Sequence, residues 1–258
     1  VSGPSRVLAI LDLFTQQRPV WSIDDIIVTL GYARPTAYRY IKQLIVAGML
    51  QKTGAGKFAL GPRFIQLDYQ IRQSDPVLSA SIPIMAELSK EMGISVLLSE
   101  MFGHQLINVH HAGGPEDSLP FPHARGRPRP LFRGAAPKVM LAFAPRPNLV
   151  RLYEDRAAEI ARNGLGNTWV EFRKYLSRIR RDKFYYSVDE VESGVAAAAA
   201  PVFDGENDVV AALSLAGPTR DLERFGIDMV RSSLLAAAER IQIELERALS
   251  TMPRVPIE

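Results

Sequence analysis

Between residues 34 and 57 the chain sets Arg34, Thr36, Tyr38, Arg39, Lys42 and Gln43 close together, followed by Lys52 and Lys57. Guanidinium, ammonium, amide and hydroxyl groups are the ones that hydrogen-bond base edges and phosphate oxygens. At roughly 100° per residue, Thr36, Arg39, Lys42 and Gln43 share one side of a helix with Tyr38 on its flank. Ala37, Ile41, Leu44 and Ile45 share the other side. The chemistry that this spacing supports is contact with the groove and backbone of double-stranded DNA. An ordinary helical pair with a solvated charged face would have the same pattern.

The elements that position these side chains are legible around them. Ser22 is a good N-cap, Asp24 and Asp25 put negative charge in the first turn, and Ile23, Ile26, Ile27 and Leu30 keep to one helical face until Gly31. A tight Gly31-Tyr32-Ala33 connection leads to Pro35, which suits the first turn of a second helix closed by Gly48. Two helices joined by a short Gly-containing turn form a helix-turn-helix, with the N-terminal residues of the second helix nearest the bases. The stretch after Met49 has two short runs around Thr53-Gly54-Ala55-Gly56, which is hairpin chemistry and would make a wing carrying Lys52 and Lys57. Residues Arg6 to Gln17, with Val7, Ile10, Leu11 and Phe14 on one face, give a further helix ended by Arg18-Pro19. The GAGKFA of the wing is a near match to a dinucleotide fingerprint, but the strand and helix that the fingerprint needs are missing.

This segment resembles the N-terminal domain of the IclR family of bacterial transcription regulators. Thr36 and Arg39 match the family's early recognition-helix pattern, and FALGPRF at 58 to 64 matches the end of its wing.

Composition agrees with such a protein. A chain of 258 residues is long enough for two modest domains, and its net charge of +3 is unevenly spread. Residues 1 to 74 hold nine Lys plus Arg against four Asp plus Glu, a local +5, and the remainder is at −2. Basic charge thus collects where phosphates would be met. Zero cysteines exclude disulfides, thiolate metal sites and cysteine nucleophiles, no apolar run reaches the length of a membrane span, and the expected location is the cytoplasm.

Beyond the wing, Pro62 opens a linker helix with Phe64, Ile65, Leu67 and Ile71, and Asp75-Pro76 marks a domain boundary. The expected organisation is a DNA-binding domain over 1 to 61, a linker helix over 62 to 75, an effector-binding domain over 76 to 250 and a tail over 251 to 258. In the second domain, Leu78, Ile82, Met85 and Met92 face one way on a helix ended by Gly93. ISVLLSEM and QLINVHHA form an antiparallel strand pair, and the Pro-, Gly- and Arg-rich stretch from 113 to 134 is a long loop or irregular strand. Helices follow over 135 to 144, 149 to 161 and 169 to 181. The last spans 225 to 249, with Ile227, Val230, Leu234, Ile241 and Leu245 inward. KFYYSV, GVAAAAAPVF and DVVAALSLAG are strands; the five alanines favour helix by propensity, but the window between Gly194 and Pro201 is too short for one. No internal repeat is present. The fold class is α+β.

The resemblance to the IclR family extends through this domain on FRGAAPKVMLAF (132 to 143), VDEVESGVAAAAAPVFD (188 to 204) and VAALSLAGP (210 to 218), and implies a GAF-like fold that binds a small organic acid. A helix N-terminus offers unpaired amides and a positive dipole end, so Ala135 and Ala136 could hold a carboxylate. Pro137 stands where the family has glycine and lacks an N–H. Ser187 stands for a family aspartate, Ala197 for a cysteine and Ala216 for a second serine, while Ser214 matches. These exchanges imply a roomier, more apolar site suited to an aromatic or branched acid. Arg125, Arg127, Arg129 and Arg133 alternate with Gly and Pro. By alignment to the family, Arg129 lies at the pocket wall near Phe121 and Phe132, where it could hold a carboxylate, a solvated loop or subunit contact being the other reading.

His110 and His111 are adjacent on a strand and point to opposite faces, so no metal site is expected among the four histidines, and no cofactor. Asp189, Glu190 and Glu192 resemble an acid/base cluster, and the resemblance to the family implies that this region lies beside the pocket, but these side chains are expected to be solvated at the surface. No G-x-S-x-G elbow or serine, histidine and acid arrangement is recognisable. The leading expectation is a homodimeric or tetrameric DNA-binding regulator whose sensor domain changes the spacing of paired DNA-binding domains. The alternatives are an enzyme acting on a small carboxylic acid, with the N-terminal unit used only for dimerisation, and a DNA-binding architectural protein whose second domain senses nothing.

Overall fold

The computed structural model describes residues 3–54, 56–113 and 125–251. The chain divides into two compact units, Val1–Ser74 and Asp75–Glu258.

In the first unit, α1 (Gly3–Leu11) precedes β1 (Trp21–Ser22), α2 (Ile23–Leu30), α3 (Arg34–Val46), β2 (Leu50–Lys52), β3 (Lys57–Leu60) and α4 (Arg63–Ser74). Local chemistry sets the boundaries. Ser22 Oγ accepts the Asp25 amide at 3.2 Å and donates to the Asp25 carboxylate at 2.8 Å, so one hydroxyl caps α2 and orders its first turn. Gly31 ends α2 in the left-handed conformation, at φ 65°, which a side chain would resist. Ile10, Ile26, Ala37, Tyr40, Ile41 and Leu44 pack with Trp21, Leu50 and Phe58 into one core.

Three details depart from the sequence expectations. The first helix stops at Leu11 instead of Gln17. Leu13 and Phe14 make tighter i→i−3 bonds, and Thr15 and Arg18 exchange backbone hydrogen bonds in a closed turn. The two-residue β1 pairs with β3, making the wing a three-stranded sheet in the order β1-β3-β2. Tyr32, in the turn, is a core residue whose hydroxyl donates to the Arg6 carbonyl at 2.8 Å.

The second unit begins with α5 (Pro76–Met92), capped by Asp75 and ended by left-handed Gly93. Its sheet comprises β4 (Ser95–Phe102), β5 (Gln105–Ala112), β6 (Pro128–Arg129), β7 (Tyr185–Val188), β8 (Val195–Phe203) and β9 (Val209–Pro218), antiparallel throughout in the order β6-β5-β4-β9-β8-β7. Helices α6 (Ala135–Phe143), α7 (Arg146–Arg162) and α8 (Trp169–Asp182) follow β6, and α9 (Thr219–Glu223) and α10 (Ile227–Thr251) end the unit.

Both faces of the sheet are covered. Val96, Leu98, Leu213 and Leu215 meet Met85 and Leu88 of α5 and Leu234 and Ile241 of α10. Leu106, Ala199 and Ala212 meet Val139 and Met140 of α6 and Phe172 and Leu176 of α8. The alanine strand follows from this sandwich. Ala196, Ala198 and Ala200 face α10 while Ala199 faces α6, and a methyl on each side lets both helices approach one central strand. Two inward assignments fail: Ile82 and Ile227 are exposed, because the buried stripe of α5 runs through Ile84 and Met85, and α10 turns its core face inward from Val230.

Candidate functional site

The first unit presents α3 as a surface helix. Ala37, Tyr40, Ile41 and Leu44 anchor it, which turns Arg34, Tyr38, Arg39, Lys42 and Gln43 outward as exposed side chains, with Thr36 half-buried between. Arg34 is tied to Asp24 of α2 at 2.6 Å, so its guanidinium bridges the two helices of the motif. Arg39 lies over the Tyr40 ring at 5.3 Å. Lys52 and Lys57 are exposed near the tip of the hairpin, whose turn is closed by the Thr53 amide on the Lys57 carbonyl at 3.0 Å. A helix face of donors flanked by a basic hairpin is the geometry of a winged helix-turn-helix.

In the second unit a pocket of about 510 Å³, mouth included, lies between the first turn of α6 and the sheet. Strand register sets its floor. Ser187 pairs with Ala197 and Ala197 with Ala216, so these three stand in a row across β7, β8 and β9, with Ser214 opposite Leu97 on the next rung. The Ser187 hydroxyl donates to the Ala197 carbonyl at 3.3 Å and the Ser214 hydroxyl to the Leu97 carbonyl at 3.4 Å.

The roof is the start of α6. Gly134 holds φ 89° as its N-cap, and a Cβ there would press on the Val191 side chain at 3.0 Å. Ala135 and Ala136 follow, and first-turn amides have no acceptor within their own helix. Both line the pocket, as does half-buried Arg129, which reaches it from β6 beside Leu106. Burial lowers the Arg129 pKa, with the Arg127 charge adding to the effect. Phe132 is not part of this wall; 1% exposed, it packs into the apolar cluster under α6. Phe121 lies outside the described residues.

The acidic loop corrects a second expectation. Glu190 is not a solvated side chain. Its Oε2 accepts the Gly134 amide at 2.8 Å and the Lys138 ammonium at 2.6 Å, while Oε1 accepts the Tyr185 hydroxyl at 2.9 Å. Tyr185 is bonded in turn to Tyr175 at 2.7 Å, and its pKa is raised, mainly by burial. Arg133 donates to the carbonyls of Glu190 and Val191, holding the loop against α6. Beside the small side chains of Ala197 and Ala216, the polar Ser99, Asn108, Arg133 and Glu190 also enter the lining. A sequence signal existed for Lys138. A lone lysine inside the apolar run AAPKVMLAF is 3% exposed, and a buried ammonium requires an acidic partner. Nothing local marks Ser99 or Asn108.

Among the described residues there is no group of three or more metal-ligating side chains and no helix long and apolar enough to cross a membrane.

The chain matches the family model described as the bacterial transcriptional regulator IclR C-terminal domain over residues 70–243, and the IclR helix-turn-helix domain over residues 4–54. The chain belongs to the IclR family. It is 27% identical to the HTH-type transcriptional regulator KipR of Bacillus subtilis over 215 residues, 82% of this chain and 84% of that protein. Among solved structures, a putative IclR transcriptional regulator from Silicibacter sp. TM1040 is 25% identical with a TM-score of 0.75, covering 99% of this chain and 100% of that one. An IclR homolog from Microbacterium hydrocarbonoxydans, solved in complex with 4-hydroxybenzoate, shares the fold at 20% identity and a TM-score of 0.75, over 96% of this chain and 100% of that one. This IclR-family chain is thus a DNA-binding transcription regulator, with a winged helix-turn-helix unit followed by a GAF-like α+β unit.

Proposed function

We propose that the operator binding of this IclR-family regulator is modulated by a small organic acid held in the pocket under α6. The observation that carries this reading is that one pocket is lined by Ala135 and Ala136, in the first turn of α6, and by Arg129 of β6. Both favour an anion, the amides through the helix dipole and the arginine by charge-assisted hydrogen bonding. Gly134 is already engaged by Glu190 and Pro137 has no N–H, so the acid is read by two amides and not four. The small row Ser187, Ala197 and Ala216 leaves space opposite them, which favours an aromatic or branched acid over the smallest keto acids. The 4-hydroxybenzoate held by the Microbacterium homolog supports an aromatic acid as the class.

Operator contact is assigned to Arg34, Thr36, Tyr38, Arg39, Lys42 and Gln43 of α3 and to Lys52 and Lys57 of the wing. One short helix reads few bases, so a twofold oligomer is needed for a specific site. Helix α4 buries no residue and exposes Ile65, Tyr69 and Ile71, which supports a second copy of the chain as its cover.

A thermal-shift screen of aliphatic and aromatic acids on the full chain tests the reading. At least one acid is expected to raise the melting temperature, and Arg129→Ala to abolish the rise. Folded protein that no acid stabilises would remove the acid-sensing half of the proposal.

A further inference from the structure

Asn108 lies in the middle of β5, 1% exposed, paired across the sheet with Ser99 of β4. The Ser99 hydroxyl donates to Asn108 Oδ1 at 2.9 Å, which fixes the plane of the amide. The other end of that amide, Nδ2, is buried without a hydrogen-bond partner. Both residues line the pocket under α6. Buried polar groups are nearly always satisfied, so an orphaned amide donor in the wall of a cavity marks the place of a missing acceptor.

Other polar groups of the lining have protein partners. Ser187 and Ser214 give their hydrogens to backbone carbonyls, Arg133 holds the carbonyls of Glu190 and Val191, and Glu190 accepts from Gly134, Lys138 and Tyr185. In the order β6-β5-β4-β9-β8-β7 Asn108 stands on the Arg129 side of the sheet, two residues along β5 from the Leu106 that pairs with Arg129, while Glu190, which caps α6, follows β7 on the other side.

We infer that Asn108 is a specificity residue that donates from Nδ2 to an oxygen of the effector other than those of its carboxylate. This rests on the acid-sensing reading and narrows it: the effector is an acid carrying a hydroxyl or oxo group, and not a plain hydrocarbon acid. The α6 amides and Arg129 hold the carboxylate, and Asn108 selects what else the molecule carries. A deoxy analogue would leave Nδ2 buried and unpaired, the circumstance in which a polar site discriminates most strongly.

The test is calorimetric titration of the full chain with matched acids: benzoate against 3- and 4-hydroxybenzoate, and pentanoate against 4-oxopentanoate. In the unaltered chain at least one oxygenated member is expected to bind about tenfold more tightly than its deoxy partner, as one hydrogen bond supplies. Asn108→Leu is expected to abolish that preference by weakening the oxygenated acid, and an unchanged circular dichroism spectrum and melting temperature show that the variant is folded. Asn108→Ala serves if the leucine variant does not fold. Acids that bind with no preference for the oxygenated member, or a preference that survives both variants, would overturn the Asn108 assignment and leave the acid-sensing reading standing. No binding of any acid overturns both, and loss of all binding in both folded variants overturns the selectivity role alone.

Discussion

Glu190 Oε2 lies 2.6 Å from the Lys138 ammonium while holding the Gly134 amide at 2.8 Å, so one carboxylate both neutralises a buried lysine and caps the helix that roofs the pocket. The Lys138 side chain is 4% exposed and that of Glu190 23%, so screening by water is limited on the lysine side. Removing one partner of such a pair strands the other charge in the interior. Glu190→Ala is expected to lower stability by about 3 kcal/mol, several degrees in melting temperature, by scanning calorimetry of the full chain. Lys138→Met combined with Glu190→Gln should recover much of the loss, and an unchanged melting temperature in the single variant would show that Lys138 finds another anion.

Glu100 gives the protein a pH dependence near neutrality. Burial pushes its carboxyl up to about 7, the Asp75 carboxylate adds to the rise, and the Arg125 guanidinium opposes it. Its Oε1 is buried without a hydrogen-bond partner. The folded state therefore holds the proton more tightly than the unfolded chain, where the value is near 4.5. This stability is fully present below about pH 4.5 and is lost as pH rises through about 7. Glu100→Gln is expected to flatten the urea midpoint between pH 5 and 8 and to raise it at pH 8 by the equivalent of about 1 kcal/mol, after allowance for partial exposure. A midpoint that falls at pH 8 in the variant would contradict this.

On the operator, Arg39→Ala and Lys52→Ala should separate two kinds of contact. Loss of Arg39, on the outward face of α3, is expected to weaken binding by about tenfold or more and to relax sequence preference, the effect of a base contact. Loss of Lys52 should weaken all sequences alike and reduce the slope of affinity against salt by about one. Footprinting across a salt series reads both, and unchanged affinity in Arg39→Ala would move the recognition surface off α3.

Effector size follows from the small residues of the sheet row. Calorimetry is expected to rank aromatic or branched acids above glyoxylate and pyruvate, and filling the space by Ala197→Leu should reverse the order. Glyoxylate or pyruvate binding more tightly than every larger acid would remove the size argument.

What the sequence revealed was what neighbouring residues decide. Ser22, Gly31 and Pro35 set the helix boundaries through caps and allowed dihedrals within a few positions, so the helix-turn-helix could be read directly. The alanine strand was legible because its window between Gly194 and Pro201 excluded a stable helix. Hidden from the sequence were features made by distant partners. The two-residue β1 exists only because Trp21 and Ser22 meet Phe58 and Lys57 of the wing. Glu190 is drawn out of solvent by Lys138, 52 residues away. Asn108 gains meaning only when β4 and β5 pair and α6 closes over them. The resemblance to the family puts Phe132 near the pocket wall, but the side chain packs in the core under α6, which only the tertiary fold decides.

Occupation of the pocket is expected to change operator affinity. The most direct measurement is fluorescence anisotropy of the full chain on a duplex first selected from a random library, titrated with and without an acid that stabilises the protein. The expected result is a shift in operator Kd of about fivefold or more, the usual scale of coupling between two sites, and its disappearance in Arg129→Ala. An acid bound at saturation that leaves the operator Kd unchanged would contradict this expectation.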